Sequence, residues 1–258
     1  MTQAIKAALS DGVLTITISR TDRKNALTNE MYGALADAVA RADEDEGVRA
    51  LLIQADGDLF TAGNDIGEFA AQSTGNGPKE RHVERFLRRL ATATVPIVAA
   101  VQGKAVGVGT TMLLHCDYVL LSDDAQLITP FVNLALVPEA ASSLLLPLRI
   151  GHVRAFDMFA LGDPVCADDA VAWGIANKKT SASELRAEAA KIAAKIAARP
   201  AGSLTAMKRL MRDAAMIVAQ IDNESAIFAD RLASAEAREA FSAFAEKRKP
   251  DFTKTAHV

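Results

Sequence analysis

The sequence predicts an α/β fold with a helical region at its carboxyl-terminal end. Two continuous apolar runs, Ala50–Ile53 and Ile97–Val101, have the composition of strands that are buried on both faces of a sheet. Helical patterns alternate with the predicted strands, which is typical of an α/β core. From about residue 181 to residue 244 the pattern is almost entirely helical. We therefore predict a core over residues 1–195 and a helical region over residues 196–258.

The first elements follow in order along the chain. Val13–Ile18 alternates apolar and polar residues, which predicts a half-buried strand. Thr28 is a candidate helix cap, and helical apolar spacing continues from it to Val39. The acidic run Asp43–Gly47 interrupts this spacing and predicts a turn.

The composition is that of a globular protein with little net charge. Of the 258 residues, 50% are hydrophobic, which is enough for a substantial core. Lys and Arg number 29 against 32 Asp and Glu, so we expect no basic surface for nucleic acid or anionic membranes. The first residues lack the apolar core of a secretory signal, and no apolar run approaches the roughly 20 residues that span a bilayer. We expect a cytoplasmic protein.

The stretch Thr129–Glu139 carries one carboxylate at the end of an otherwise uncharged, largely apolar run. A carboxylate in apolar surroundings has a raised pKa and accepts a proton near neutral pH. Pro138 and Glu139 also suit the first turn of a helix, which is a purely structural interpretation of the pair. A helix start would lower the pKa of Glu139, but we expect burial to dominate. The stretch alone leaves both interpretations open.

A first glycine-containing loop, Leu59–Asp65, offers backbone amides to a ligand. The chain is expected to turn sharply at Gly63 and to leave the amides of Asn64 and Asp65 free. A purely structural turn is the alternative for this loop.

A second loop, Gly103–Gly109, follows a predicted strand and leads into a helix predicted to begin near Thr110. The amides around Val108 and Gly109 would then lie at the positive end of the helix. Two amides that point at one oxygen form an oxyanion hole, in which each donor is worth roughly 3–4 kcal/mol. The loop could also be a dinucleotide-binding turn, but its glycine spacing does not match G-x-G-x-x-G.

Five segments of the sequence match, in order, the motifs of one known family. They are Asp22–Leu27 (DRKNAL), Phe60–Ile66 (FTAGNDI), Pro96–Gly103 (PIVAAVQG), Cys116–Asp117 and Ala167–Ile175 (ADDAVAWGI). Over nearly its whole length the chain thus resembles the crotonase, or enoyl-CoA hydratase/isomerase, superfamily. Several ordered motifs are far more specific than any one of them.

The resemblance implies a fold, a substrate and an assembly. The fold would be a crotonase-like spiral of ββα repeats with a carboxyl-terminal helical oligomerisation region, which builds a homotrimer or hexamer. The substrate would be an acyl-CoA, whose thioester carbonyl is held by the amides of Asn64 and Val108. Coenzyme A is part of the substrate, so we expect no separate cofactor, and we propose no metal site.

Hydratases of this superfamily carry two glutamates whose matching positions here are Thr111 and Phe131. Neither residue activates water, and hydration needs acid and base groups placed on both water and substrate. We therefore expect a poor hydratase.

Another part of the sequence is similar to the delta-3,delta-2-enoyl-CoA isomerase branch, particularly its peroxisomal type. The matching residues are Gly63–Asp65, Thr129–Phe131, Leu136, Pro138–Glu139 and Ser142–Ser143. In that branch the glutamate of Pro-Glu is the single acid and base, so the resemblance gives this role to Glu139. It also implies a part in fatty acid β-oxidation. Two alternatives remain open, namely another crotonase-type reaction, enoyl-CoA hydration included, and a non-catalytic acyl-CoA-binding scaffold.

The resemblance assigns the coenzyme A moiety to three groups of residues. They are Lys24, Ala26 and Leu27, the turn of Ala62, Gly63, Asn64, Asp65 and Ile66, and the carboxyl-terminal Phe244 and Lys247. The two lysines would pair with phosphates as point charges. A solvated surface position is the alternative for each lysine.

Overall fold

The computed structural model describes residues 2–73 and 75–255. Its strands are β1 (Ile5–Ser10), β2 (Val13–Ile18), β3 (Ala50–Ala55), β4 (Ile97–Val101), β5 (Lys104–Val106), β6 (Tyr118–Ser122), β7 (Gln126–Ile128), β8 (Val165–Cys166) and β9 (Lys178–Thr180). Its helices are α1 (Asn29–Glu44), α2 (Ile66–Ser73), α3 (His82–Thr92), α4 (Val108–Thr111), α5 (Ser142–Ile150), α6 (His152–Leu161), α7 (Ala167–Ala172), α8 (Leu185–Ala197), α9 (Ala201–Met211), α10 (Ala214–Leu232) and α11 (Ala235–Ala245).

A mainly parallel sheet forms the centre of the fold. Within the described residues it has six strands in the order β1-β2-β3-β4-β6-β9, and the β1–β2 pair is antiparallel. β3 lies between β2 and β4, so that Leu51 is paired with Leu14 on one side and Ile97 on the other. Every residue of β4 is buried. The prediction of doubly buried strands is confirmed.

Helices cover both faces of this sheet. On one face α1 and α3 pack together over alternate residues of β3 and β4, and on the other α8 covers the residues between them. The Thr28 hydroxyl caps α1 by accepting a hydrogen bond from the Met31 N–H at 3.3 Å, as predicted, and such a cap is worth about 1 kcal/mol. α1 continues to Glu44, so the predicted acidic turn begins two residues later than its sequence suggested.

A smaller sheet carries the second glycine loop. Its strands lie in the order β5-β7-β8, with β5 parallel to β7 and β8 antiparallel to β7. An isolated parallel bridge between Thr61 and Ala105 links this sheet to the loop after β3. Because of this bridge, two loops that are about 40 residues apart in sequence lie side by side.

Helices α8 to α11 occupy most of the region that was predicted to be helical. α10 packs against α3 and α5, and α11 packs against α2. The division of the chain at residue 195 stays a prediction, and α8 spans it. Within the described residues no helix is both long and apolar enough to cross a membrane.

Candidate active site

The first glycine loop lies against the backbone of the second. Gly63 has a φ of +87°, and a Cβ atom added there would lie 2.9 Å from the carbonyl oxygen of Val106. Glycine is the residue that tolerates both this conformation and this close approach. The Val106 N–H also donates to the Thr61 carbonyl at 3.0 Å. The loops are therefore held together by backbone contacts.

The second loop leads directly into α4. This helix begins at Val108, two residues earlier than the sequence predicted, and has four residues. A Cβ atom added to Gly109 would lie 2.5 Å from the Thr61 Cγ2 atom. The absence of a side chain at Gly109 thus lets the start of α4 approach the first loop.

Several backbone amides at this junction lack an acceptor among the described residues. They are the N–H groups of Asn64 in the first loop and of Val108 and Gly109 at the start of α4. Asp65 donates its N–H to the Leu27 carbonyl at 2.9 Å, so the prediction that this amide is free is wrong. Backbone amides in folded proteins are nearly always paired. Two unpaired amides on adjoining loops are typical of an oxyanion site.

Glu139 lies in an irregular segment before α5. The helix begins at Ser142, whose N–H donates to the Glu139 carbonyl at 3.0 Å. The interpretation of Pro138 and Glu139 as a first helical turn is therefore wrong. The Glu139 residue is buried, with 9% of its surface exposed, and it lines the same cavity as Asn64.

Burial raises the pKa of the Glu139 carboxyl from 4.5 to about 8. The Thr111 hydroxyl donates to Oε1 at 2.5 Å and lowers this pKa, because the hydrogen bond favours the charged form. The like charge of Glu224 adds to the rise. Burial outweighs the hydrogen bond, as expected, and a carboxyl with a pKa near neutral pH is suited to accept and return a proton.

Thr111→Val is expected to raise the pKa of Glu139 above its value of about 8, because it removes the hydroxyl that favours the carboxylate. Titration of side-chain 13C-labelled glutamate by NMR measures this pKa, and the resonance missing from Glu139→Gln identifies the residue. Thr111→Ser keeps the hydroxyl and should titrate like the wild type. A Glu139 pKa in Thr111→Val at or below the wild-type value would contradict this prediction.

Tyr32 is a site residue that the sequence analysis missed. Its hydroxyl donates to the Asn64 side-chain oxygen, and its pKa is raised well above 10.0 by burial and, to a smaller extent, by the charges of Glu139 and Glu68. The neutral phenol therefore holds the side chain of Asn64, the first-loop residue that carries a candidate oxyanion amide. Tyr32 lies on α1, 32 positions from Asn64 in the chain. The sequence shows only that Tyr32 belongs to a predicted helix, and it gives no sign of the contact with Asn64.

The cavity that joins Glu139 to Asn64 is lined by both apolar and polar side chains, and most of its exposed lining surface is apolar. Its other lining residues are Phe69, Arg81, Val83, Glu84, Leu87, Ser225 and Phe228. The Phe69 ring lies 6.1 Å, between centroids, from the rings of both Phe228 and Phe241. Such a cavity suits a ligand with an apolar chain next to a polar reacting group.

Two of the three groups of predicted coenzyme A residues lie together. The Ala62 N–H donates to the Lys24 carbonyl at 3.0 Å, and the Leu27 N–H donates to the Gly63 carbonyl at 2.8 Å. The segment that includes Lys24, Ala26 and Leu27 therefore runs alongside the turn from Ala62 to Ile66. Their contact with coenzyme A stays a prediction.

The third group lies at the end of α11. Phe244 is 57% exposed, and Lys247 follows the helix and is also exposed. α11 contacts α2 through the rings of Phe241 and Phe69. Among the described residues, no hydrogen bond or ring contact joins Phe244 or Lys247 to the Lys24 segment. Their assignment to the coenzyme A site stays a prediction.

Comparison with known proteins gives one consistent family. The family model described as Enoyl-CoA hydratase/isomerase matches residues 8–255. The 1,2-epoxyphenylacetyl-CoA isomerase of Escherichia coli K12 is 32% identical over 98% of this chain and 99% of its own length. A probable enoyl-CoA hydratase of Bacillus subtilis is 29% identical over 96% of this chain and 98% of its own.

A solved structure agrees with these matches. The crystal structure of an enoyl-CoA hydratase/isomerase from Pseudoalteromonas atlantica superposes with a TM-score of 0.92 at 43% identity, over 97% of this chain and all of the other. This confirms both the α/β class predicted from the strand and helix patterns and the crotonase fold implied by the motifs. The chain belongs to the enoyl-CoA hydratase/isomerase family of the crotonase superfamily.

Proposed function

We propose that this acyl-CoA enzyme is a delta-3,delta-2-enoyl-CoA isomerase of the single-carboxylate type. The observation that carries the proposal is the buried carboxyl of Glu139, which lines the same cavity as Asn64, whose backbone amide has no acceptor among the described residues. The cavity also holds Glu84, but this carboxylate is half-exposed and forms an ion pair with Arg81 at 3.3 Å. Glu139 is therefore the residue with the surroundings of a proton shuttle.

The proposed reaction moves one proton from C2 to C4 of a 3-enoyl-CoA. The Glu139 carboxylate removes the C2 proton, and the electron pair of that C–H bond passes to the thioester oxygen to form a dienolate. The amides of Asn64 and Val108 stabilise this oxyanion. Neutral Glu139 then returns the proton at C4, and the double bond moves from C3–C4 to C2–C3. One group on one face serves both steps.

The surroundings of the two hydratase positions support an isomerase rather than a hydratase. The Thr111 hydroxyl is engaged with the carboxylate of Glu139. Phe131 is buried, and its ring lies 6.2 Å from the ring of Phe159, between centroids. Neither position offers a second acid or base for the activation of water.

We further propose a homotrimer or hexamer that acts in the cytoplasm, in fatty acid β-oxidation. Apolar side chains exposed on α9 and α10 support an assembly, since monomeric proteins seldom expose large contiguous apolar patches. These side chains are Met207, Leu210, Met211, Met216 and Ile227. In the assembled protein, Lys24 and Lys247 would pair with phosphates of the coenzyme A moiety.

The proposal predicts a rise of kcat/KM with pH up to about pH 8. The base must be charged to accept the C2 proton, and burial holds the pKa of Glu139 at about 8. Below this pH, kcat/KM should fall about tenfold per pH unit, because each unit reduces the charged fraction by this factor. Initial rates between pH 6 and pH 9 measure the profile. A flat profile below pH 8 would show that the base is fully charged there and would contradict the prediction.

An absorbance assay tests the function directly. Wild-type protein with a 3-enoyl-CoA is expected to produce the conjugated 2-enoyl thioester, which absorbs in the ultraviolet. With a 2-enoyl-CoA, the absorbance should persist, whereas a hydratase would remove it. Tight binding of both compounds without turnover would instead identify a non-catalytic scaffold and refute the proposal.

A further inference from the structure

The backbone that follows Glu139 has an unusual conformation. Ala140 and Ala141 have φ values of +62° and +55°, although neither is glycine. Two consecutive left-handed residues with a Cβ atom are costly and persist only where their surroundings hold them. Both alanines are buried. The direction in which the Glu139 side chain leaves the backbone therefore depends on the groups that hold this turn.

Glu224 on α10 holds the turn from one side. Its carboxylate accepts hydrogen bonds from the Ala141 N–H at 2.6 Å, from the Ser143 N–H at 2.9 Å and from the Ser143 hydroxyl. The Gln220 side-chain amide donates in turn to the Ser143 hydroxyl at 2.8 Å. The Glu224 residue is 4% exposed. Burying a carboxylate without hydrogen-bond donors would be strongly unfavourable. The three donors of the turn offset this cost, so Glu224 and the turn hold each other in place.

His115 holds the turn from another side. One ring nitrogen, Nε2, lies 2.7 Å from the Ala140 carbonyl oxygen, and the other, Nδ1, faces the Arg212 guanidinium. Arg212 can only donate, so Nδ1 accepts and Nε2 carries the hydrogen that is donated to Ala140. Burial lowers the pKa of His115 to about 3, with a smaller contribution from the charge of Arg212, so the ring is neutral. Both ring nitrogens of His115 therefore have a suitable partner, namely the Ala140 carbonyl as acceptor and the Arg212 guanidinium as donor.

We propose that Glu224 is a positioning residue that, together with His115, fixes the left-handed turn at Ala140 and Ala141 and thereby aims the Glu139 carboxylate into the cavity. The inference rests on the proposed function, because it gives a catalytic consequence to the orientation of Glu139. The same helix supplies Ser225 and Phe228 to the cavity wall. α10 therefore sets both the shape of the cavity and the position of its base.

Glu224→Ala and Glu224→Gln test this role in the intact protein with 3-enoyl-CoA. The alanine variant removes the carboxylate that accepts from Ala141 and Ser143, whereas glutamine keeps one oxygen and nearly the same volume. We expect kcat to fall by about 10²-fold in Glu224→Ala, since misplacement of a reacting group by about 1 Å has this effect, and by less in Glu224→Gln. KM should change little, because the residues that are predicted to bind coenzyme A lie on other elements than α10. Asp230→Asn, an exposed carboxylate on the same helix, is the matched control.

A double-mutant cycle separates positioning from a general loss of structure. If Glu224 acts through Glu139, then Glu224→Gln should not lower the residual rate of Glu139→Gln any further. Additive losses, a rise of KM with unchanged kcat, or kinetics of Glu224→Ala equal to those of Asp230→Asn would each overturn the inference.

NMR titration of Glu139 tests the inference without any turnover. The groups that face Glu139 are the Thr111 hydroxyl, the Tyr32 phenol and Glu224, with Arg81 and Glu84 on the cavity wall. Both Glu224 variants remove a like charge and should lower the pKa of Glu139. Glu224→Ala should lower it further, towards 4.5, because the loosened turn admits water.

The titration also separates a failure of the positioning role of Glu224 from a failure of the proposed isomerase function. Equal Glu139 titration in the two variants would mean that only the charge of Glu224 matters, and would refute positioning. If the wild-type protein does not isomerise 3-enoyl-CoA, the proposed function fails, whereas the titration still decides whether Glu224 holds the turn.

Discussion

Glu139→Gln is expected to lower kcat for 3-enoyl-CoA isomerisation by about 10²–10⁴-fold, the usual contribution of a positioned acid or base. Gln has almost the same volume and can still accept the Thr111 hydrogen bond, but it cannot take a proton from C2. The oxyanion amides and the apolar cavity would remain, so KM should stay close to the wild-type value. Steady-state rates measured from the ultraviolet absorbance of the product give both constants.

The control for Glu139→Gln is Glu84→Gln, which changes the other carboxylate that lines the cavity. Because Glu84 is half-exposed and paired with Arg81, its loss should leave kcat nearly unchanged. The opposite result, with Glu84→Gln inactive and Glu139→Gln active, would assign the proton transfer to Glu84 and would refute the proposed mechanism.

Gly63→Ala is expected to lower kcat/KM by about 10²–10³-fold, comparable with the loss of one oxyanion donor. The new methyl group would lie 2.9 Å from the Val106 carbonyl oxygen and would separate the two loops that carry the Asn64 and Val108 amides. These amides must point at one oxygen, so a small displacement of either loop weakens the stabilisation of the dienolate. Kinetics with 3-enoyl-CoA and thermal unfolding should be measured together.

Gly174→Ala provides a matched control for the backbone conformation. Gly174 has a φ of +84°, close to the +87° of Gly63, but a Cβ atom there would meet no atom within 4 Å. Alanine at either position has the same unfavourable left-handed conformation, which costs about 1–2 kcal/mol of stability. Only Gly63→Ala should lose activity. Equal kinetic losses in both variants would mean that strain, and not loop separation, explains the effect.

Local patterns were sufficient to identify the parts of the fold. The apolar runs at Ala50 and Ile97, the alternation in Val13–Ile18 and the cap at Thr28 all correspond to elements of the structure. Each pattern reports on near neighbours in the chain, where period and capping decide the local conformation. The predicted boundaries of elements were less accurate, since α4 begins two residues earlier and α1 ends two residues later than predicted.

The candidate site also has features that the sequence predicts and features that it does not. Glu139 stands out in the sequence as a lone carboxylate in an apolar run, and the loops at Gly63 and Gly107 stand out as glycine turns. Which amide of the first loop is unpaired could not be read from it, because the Asp65 N–H finds its acceptor in Leu27. That pairing joins segments 38 residues apart, and no local pattern specifies it.

The sequence by itself determined the fold class, the family motifs and the choice of Glu139, because these depend on residue types and on their spacing along the chain. The tertiary structure alone decided the pKa of this carboxyl and the groups that orient it. Thr111, Tyr32, His115 and Glu224 reach the site from four separate elements. Burial, hydrogen bonding and like-charge repulsion act through space, and only the packed chain brings these groups within range.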